Sequence, residues 1–559
     1  MMVTNLRPEL TRHLFQRLQA FQEGFQHNLA LIGPPGSGKT FQLQYLLGQH
    51  ASELLFVYCP LYQESARSVL HRLLCAIVQA GLPAPRAAGN FELEFRVHSQ
   101  ANQLVGLEAL LEESAPSLPR TTAAIRGMEG LLGRRLYGEA FSRTLDVIPV
   151  LGEECRRPCV LVLDEFLFLE ACGLTHAFRE LGKRVMTWPS TLFILSSSAV
   201  FNAQAILRER LQLLFGQFEL LTLDGLDAQV ASRWVQHELA DAEGADETEA
   251  VRIFLLHWLG AYPWYLTVFL KRLKKLVALR QGQGRCAMEG LFLEAAWDVL
   301  GSPEGTLQQW CLSRIEGLTS LRIGRRALEM LAQVAEGGRT ATAIGRCLGR
   351  AGLSAGLQLL LERDLVQRSG ACWMVTDPIL RCWLMTMFAS QRSGVRLDGT
   401  EVRRRFDEHL RALWTMWLHT HQLSFPEQIE GLFGRFCDET VSLDSKMGRL
   451  PRFHAIQRCS SLPGTSAAET YLIADAKGTR WCATVHEGAV DETAITAFDT
   501  FCRTQHPKPS RKIVVSRTGL NENATLVAKA ANMWVWEPDD LTILRELYGQ
   551  GSLPSGTPS

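Results

Sequence analysis

Over residues 1–226, short apolar runs alternate with longer stretches whose apolar residues recur at helical spacing. The runs are Leu29–Pro34, Leu54–Pro60, Cys159–Asp164, Ser190–Ser198 and Phe218–Leu226. Strands that are apolar almost throughout, with helices between them, predict a parallel sheet covered on both faces. Residues 86–150 link the second and third runs. Their pattern is helical in LVGLEALLEE and AAIRGMEGLLGRRL, so an inserted helical pair is expected there. The pattern stays helical over 227–301. Over 306–395, three helical stretches (RRALEMLAQVA, TAIGRCLG, AGLQLLLERDL) feed a short strand pair around a turn, VQRSGACWMV. That order predicts a winged helix-turn-helix. The last unit, 400–550, opens with two helices, VRRRFDEHLRALWTMWLHTH and PEQIEGLFGRFCDETV. Strands RFHAIQRC, TYLIADA and RWCATVHE follow, then helix, strand, helix and a last strand, MWVWEP. A Gly/Ser/Pro tail, 551–559, is expected to be flexible.

Composition changes this picture little. Of 559 residues, 47% are hydrophobic and 21% charged, the balance of a soluble globular protein of several domains. The formal net charge is zero, so any contact with nucleic acid must be a local patch. No apolar run reaches the roughly 18 residues of a membrane span. The start, MMVTNLRPELTRHLFQRL, has no apolar signal core. Fourteen cysteines are scattered without a CxxC pair. Those in apolar runs, such as Cys59 and Cys159, read as buried thiols in a cytoplasmic protein.

The chemistry is concentrated near the start. Gly33, Pro34, Pro35, Gly36, Ser37, Gly38, Lys39 and Thr40 fit GxxxxGK[ST], after a strand-like LALI and at the start of a helical FQLQYLLGQH. In that context the glycines let backbone N–H groups turn inward onto phosphate oxygens, and the helix start adds partial positive charge. Lys39 is expected to reach the β- and γ-phosphates of ATP, and the Thr40 hydroxyl to ligate Mg²⁺. The run Cys159–Asp164 ends in two acids. Carboxylates at the end of a buried strand are costly unless they face a metal or an opening. Asp164 is expected in the Mg²⁺ shell and Glu165 as the base that polarises water. In TLFILSSS, Ser196 or Ser197 is a candidate to hold that water or the γ-phosphate. Arg208 or Arg210 is a candidate arginine finger.

The stretch GPPGSGKT, the strand end Leu163–Phe166 and ILSSS resemble the core of the archaeal-type ATPases, which belong with the STAND ATPases near the origin-recognition AAA+ group. Gly260-Ala-Tyr-Pro-Trp-Tyr-Leu266 is similar to their lid stretch GGxPxYL, with Ala261 in place of the second glycine. Val375–Trp383 resembles DPxxRFW, with Cys382 in place of an aromatic. The resemblance covers nearly the whole chain. It implies an α/β P-loop NTPase (ASCE/AAA+-like) at 1–226, a helical lid at 227–301, a winged helix-turn-helix at 306–395 and a restriction-endonuclease-like α/β domain at 400–550. An ATP-hydrolysing switch acting on DNA or a protein partner, with ATP-dependent homo-oligomers, is what such proteins suggest. A signalling scaffold with slow turnover and an ATP-regulated nuclease are the alternatives.

Nuclease chemistry in that last fold needs an Asp and then (Asp/Glu)-x-Lys on adjacent strands. Aligning RWCATVHEG puts Thr484 and His486 at the second pair of positions and Thr470 at the first. A shifted set, Asp475, Glu487 and Lys477, lacks the motif's order. A nuclease-inactive domain is expected, with Tyr471, Ile473, Val485, Ile513, Val515, Trp534 and Trp536 alternating as one buried face. Arginines outnumber acids over 321–370, so phosphate contacts by the winged helix are expected, without the side chains that read base edges.

Overall fold

The computed structural model describes residues 5–50, 53–82, 106–209, 218–239, 245–280, 288–337, 340–389, 399–443, 446–460 and 470–549. The chain forms two compact units. One comprises Met1–Glu238 with Ala261–Thr267, the other Leu239–Gly260 with Val268–Ser559.

In the first unit β1 (Asn28–Ile32), β2 (Leu55–Pro60), β3 (Cys159–Asp164), β4 (Thr191–Ser197) and β5 (Phe218–Thr222) form one sheet in the order β2-β3-β4-β1-β5. Every pair is parallel. This is the parallel sheet that the apolar runs predict, in the α/β architecture of a P-loop NTPase that the resemblance implies. Period-two alternation splits each strand between two cores. Ala30 and Ile32 of β1 and Leu161 and Leu163 of β3 pack with the helices Ala66–Gly81 and Tyr137–Cys155. Leu29, Leu31, Val160 and Val162 pack on the other face with Leu14, Leu18 and Phe21 of the helix Pro8–Gln22. Each Leu, Ile, Val or Phe among them contributes about 1.5–3 kcal/mol on burial. Register brings four strand ends to one edge: Ile32 faces Ser197, Pro60 faces Asp164, and Leu163 faces Leu195.

The linking segment departs from expectation. Within the described residues it contains Leu107–Ser114, Pro119–Arg126, Glu129–Gly133 and Tyr137–Cys155, four helices instead of a pair. The pattern AAIRGMEGLLGRRL reads as one helix but is cut at Gly127, which takes the C-cap position. Leu111, Leu118, Ile125 and Phe141 join the main core, so these helices are part of it.

In the second unit three helices (Gly324–Ala335, Ala341–Leu348, Leu353–Glu362) precede a hairpin of β6 (Gln367–Ser369) and β7 (Cys372–Met374). A second hairpin, β8 (Glu439–Leu443) and β9 (Lys446–Leu450), begins where the helical pattern of PEQIEGLFGRFCDETV runs on in the sequence. Gly434 ends that helix after Phe433. The β6–β7 hairpin is not free in solvent. Ala371 N–H donates to Thr440 O at 2.9 Å and Ser369 Oγ to Ser442 O at 2.8 Å. A Cβ on its tip residue Gly370 would lie 2.7 Å from Thr440 O.

The last sheet has the order β10 (Ala455–Ser460), β11 (Thr470–Ala476), β12 (Thr479–His486), β13 (Arg511–Ser516) and β14 (Trp534–Trp536). The first three are antiparallel and the last three parallel. Its core corrects the expected single buried face. Tyr471 and Ile473 pack with Cys482, Val514 and Phe498. Val485, Ile513, Val515, Trp534 and Trp536 pack on the opposite side with Phe433 and Leu544. Both faces are covered by helices, so both parities of each strand are apolar.

Candidate functional site

The residues expected to bind phosphate follow β1 directly. Gly36 and Gly38 have φ of 81° and 93°, conformations that glycine adopts without the steric cost other residues carry. Gly33 is fixed for another reason: a Cβ there would lie 2.0 Å from Leu223 O. Lys39 opens the helix Lys39–His50 and is 4% exposed. Its Nζ donates to Gly33 O at 2.7 Å and Pro34 O at 3.1 Å. Burial lowers its pKa, and the nearby carboxylates of Glu165 and Asp164 oppose that shift.

Asp164 closes β3 and is 3% exposed. Three hydroxyls donate to it. Thr40 Oγ1 reaches Oδ2 at 2.8 Å, Tyr58 OH reaches the same oxygen at 2.9 Å, and Ser196 Oγ reaches Oδ1. The charge is thus solvated by fixed dipoles in place of water, which is what makes its burial tolerable. Glu165, the next residue, has φ of 61°, a left-handed conformation costing a non-glycine residue about 1–2 kcal/mol. It turns the chain off the strand so that Oε2 accepts the Ser198 N–H at 2.9 Å. Burial raises the Glu165 pKa; that N–H and the Lys39 ammonium work against the rise.

The structure therefore gathers Lys39, Thr40, Asp164, Glu165 and Ser196. Ser197 meets the P-loop through its backbone, its carbonyl accepting the Gly33 N–H at 3.2 Å, while its Oγ accepts the Ala199 N–H at 3.1 Å, at the start of the helix Val200–Glu209. Arg208 is exposed on that helix, and Arg210 lies outside the described residues. Two neighbours carry no sequence signal for this place. Tyr58 sits in the alternation of β2 like an ordinary strand tyrosine. Arg7 precedes the first helix, yet its guanidinium donates to Ser37 O at 3.1 Å and to Asp224 O.

The lid-like stretch also reaches the loop. Trp264 N–H donates to Gly36 O at 3.3 Å, and Pro263 Cγ stands 3.7 Å from where a Cβ on Gly38 would be. Ala261, the departure from GGxPxYL, has φ of 54°. It holds a conformation that glycine takes without that penalty, offset by glycine's larger unfolded-state entropy. Ala261→Gly is expected to raise stability by about 0.5–1 kcal/mol, read as a higher urea midpoint at unchanged slope. An unchanged or lower midpoint would show that Ala261 carries no strain.

The residues considered for nuclease chemistry do not converge. Asp475 pairs with Arg480 at 2.7 Å beside the β11–β12 turn. Glu487 follows the other end of β12, seven residues on from Arg480, about 24 Å away at strand rise. Thr484 Oγ1 and His486 Nε2 hydrogen-bond each other at 2.7 Å. Plasmid and single-stranded DNA incubated with the full chain, with and without ATP, in Mg²⁺ or Mn²⁺, are expected to stay intact. Cleavage abolished by Asp475→Ala or Glu487→Ala would overturn this.

A family model described as AAA domain matches residues 24–187. No match is found among curated proteins. Among solved structures, the Walker-type ATPase PABY2304 of Pyrococcus abyssi aligns at 16% identity over 68% of this chain and 95% of its own, with a TM-score of 0.44. The Aeropyrum pernix ORC2 protein with ADPNP and ADP aligns at 14% identity over 74% and 95%, with a TM-score of 0.42. A point mutant of Thermotoga maritima RuvB aligns at 13% over 70% and 96%, with a TM-score of 0.30. No helix among the described residues is long and apolar enough to cross a membrane. The P-loop and the acidic end of β3 both fall inside the span that matches the AAA domain model, and the chain is a P-loop ATPase.

Proposed function

We propose that the chain is an ATP-driven switch that acts on DNA. One observation carries the ATP chemistry: Thr40, Ser196 and Tyr58 all direct their hydroxyls onto the buried Asp164, beside the buried Lys39. The oxygen donor set fits Mg²⁺, which prefers hard oxygen ligands; Thr40 and Asp164 would hold it, and the ion would neutralise phosphate charge. Gly33–Thr40 would cradle the phosphates, and Lys39 would leave its two carbonyls for phosphate oxygens. Glu165 would accept a proton from water, with Ser198 N–H holding its carboxylate in position.

The DNA reading rests on the three-helix module of the second unit. Arg322, Arg325, Arg346 and Arg350 are exposed there, and Arg326 ties their two segments together by donating to Leu348 O and Gly349 O. Such a patch suits backbone phosphates and weak sequence preference. The packing of the β6–β7 tip on β8 supports a second reading, a scaffold that assembles on ATP. ATP hydrolysis measured with and without DNA, alongside solution mass with and without ATP, separates them. DNA stimulation supports the switch on DNA; ATP-dependent assembly without DNA stimulation replaces it with the scaffold.

A further inference from the structure

The last sheet segregates charge between its two ends. At the end holding the β11–β12 turn, register aligns the residues before β10, the turn itself and the start of β13: Ala455 faces Asp475, Ala476 faces Thr479, and Trp481 faces Arg511. Arg452, Lys477, Lys508 and Arg511 are all exposed at this end, and Lys529 ends the helix that leads into β14. The acid of the turn, Asp475, is already held by both arms of Arg480 at 2.7 and 2.9 Å. Arg511 is held by stacking on Trp481 and Trp534, with its carbon 5.8 and 5.1 Å from the ring centres. The opposite end carries exposed Glu487, Asp491, Glu492, Glu522, Glu537 and Asp539 against one exposed cation just past β13, Arg517. In a chain of zero net charge this is a sorting of charge along one domain and not a general excess of base.

We infer that the cationic end of this sheet binds the phosphate backbone of nucleic acid, as a surface separate from the arginines of the three-helix module. From β10 to β13 the row spans three inter-strand gaps, about 14 Å, or roughly four nucleotides at 3.4 Å rise. Thr479 and Ser510 flank it with hydroxyls, and among the described residues no exposed large apolar side chain belongs to the row itself, so it offers phosphate contacts without a wedge for a lipid bilayer. Lacking groups ordered to read base edges, it binds without sequence preference.

The test uses the full chain and fluorescence anisotropy with duplex and single-stranded DNA of about 25 nucleotides over a salt series. The variant K477A/K508A/R511A is expected to bind at least about tenfold more weakly at about 0.1 M salt. The slope of log affinity against log salt for the duplex is expected to fall by about 2–3, near 0.9 per lost contact. K477R/K508R/R511K should restore both, and E487Q/E522Q should bind at least as tightly as the parent. Parental affinity and slope in the triple alanine variant would overturn the inference, as would loss confined to R325A/R346A. Loss of binding to phosphatidylserine vesicles with DNA binding intact would also overturn it, in favour of a membrane. DNA binding that depends on the triple site while DNA leaves ATP hydrolysis unchanged would keep this surface and remove the switch reading proposed above.

Discussion

Lys39→Ala is expected to weaken ATP binding by about 10²–10⁴-fold. Hydrogen bonds to charged groups contribute about 1.5–3 kcal/mol each, and the ammonium would make one to each of two phosphates. Gly33 O and Pro34 O hold the buried side chain beside the loop before ATP arrives, and it exchanges those two bonds for phosphate oxygens. Burial lowers its pKa, and incoming phosphate charge favours the protonated form again. Alanine keeps the helix start and removes the cation. Calorimetric titration with Mg-ATP checks this. An affinity within about threefold of the parent, about 0.7 kcal/mol, would remove Lys39 from the site.

Glu165→Gln is expected to keep ATP binding and to slow hydrolysis by about 10²–10⁴-fold, the usual contribution of a general base. Glutamine retains an oxygen to accept the Ser198 N–H, so the turn at φ 61° should survive. The parent carries a further signature. Because burial raises the Glu165 pKa above the usual glutamate value of 4.5, a base at this position gains its proton sooner as pH falls. The acid limb of kcat/KM is therefore expected above pH 4.5 in the parent and absent from the residual activity of the variant. Parental turnover in the variant, or an acid limb that persists in it, would move the role of base elsewhere.

The P-loop was legible because its spacing is itself the mechanism: glycines where φ is positive, a lysine and a threonine at the first helical turn. The acids of β3 were legible because a run as apolar as CVLVL makes its two charges conspicuous. Period two says that Ser196 and Ser197 face opposite sides, but not which faces Asp164; only the β3–β4 register decides that. Tyr58 gave no signal because one tyrosine in an alternating strand is ordinary. Arg7 gave none because it meets carbonyls 30 and 217 residues away. In the last sheet the alternation was visible, but strands buried on both faces leave no polar parity to show which apolar residues share a side. The β8–β9 hairpin was hidden because helical periodicity ran past Gly434, and one glycine is a weak stop in a sequence and a firm one once its neighbours pack.

The three hydroxyls on Asp164 have a consequence for what can enter beside them. A hydroxyl has a single hydrogen and two lone pairs. Thr40 and Tyr58 have each turned that hydrogen toward the carboxylate, so what remains on them is acceptor capacity; Ser196, fully buried, spends its acceptor side on the Glu165 N–H at 3.4 Å. Such a floor repels another acceptor, a bare phosphate oxygen included, and welcomes a cation or a donor. On the proposed function a nucleotide would enter in one polarity: anionic oxygens toward the backbone amides and Lys39, positive charge toward Thr40. A phosphate chain turned the wrong way would meet lone pairs where it needs donors.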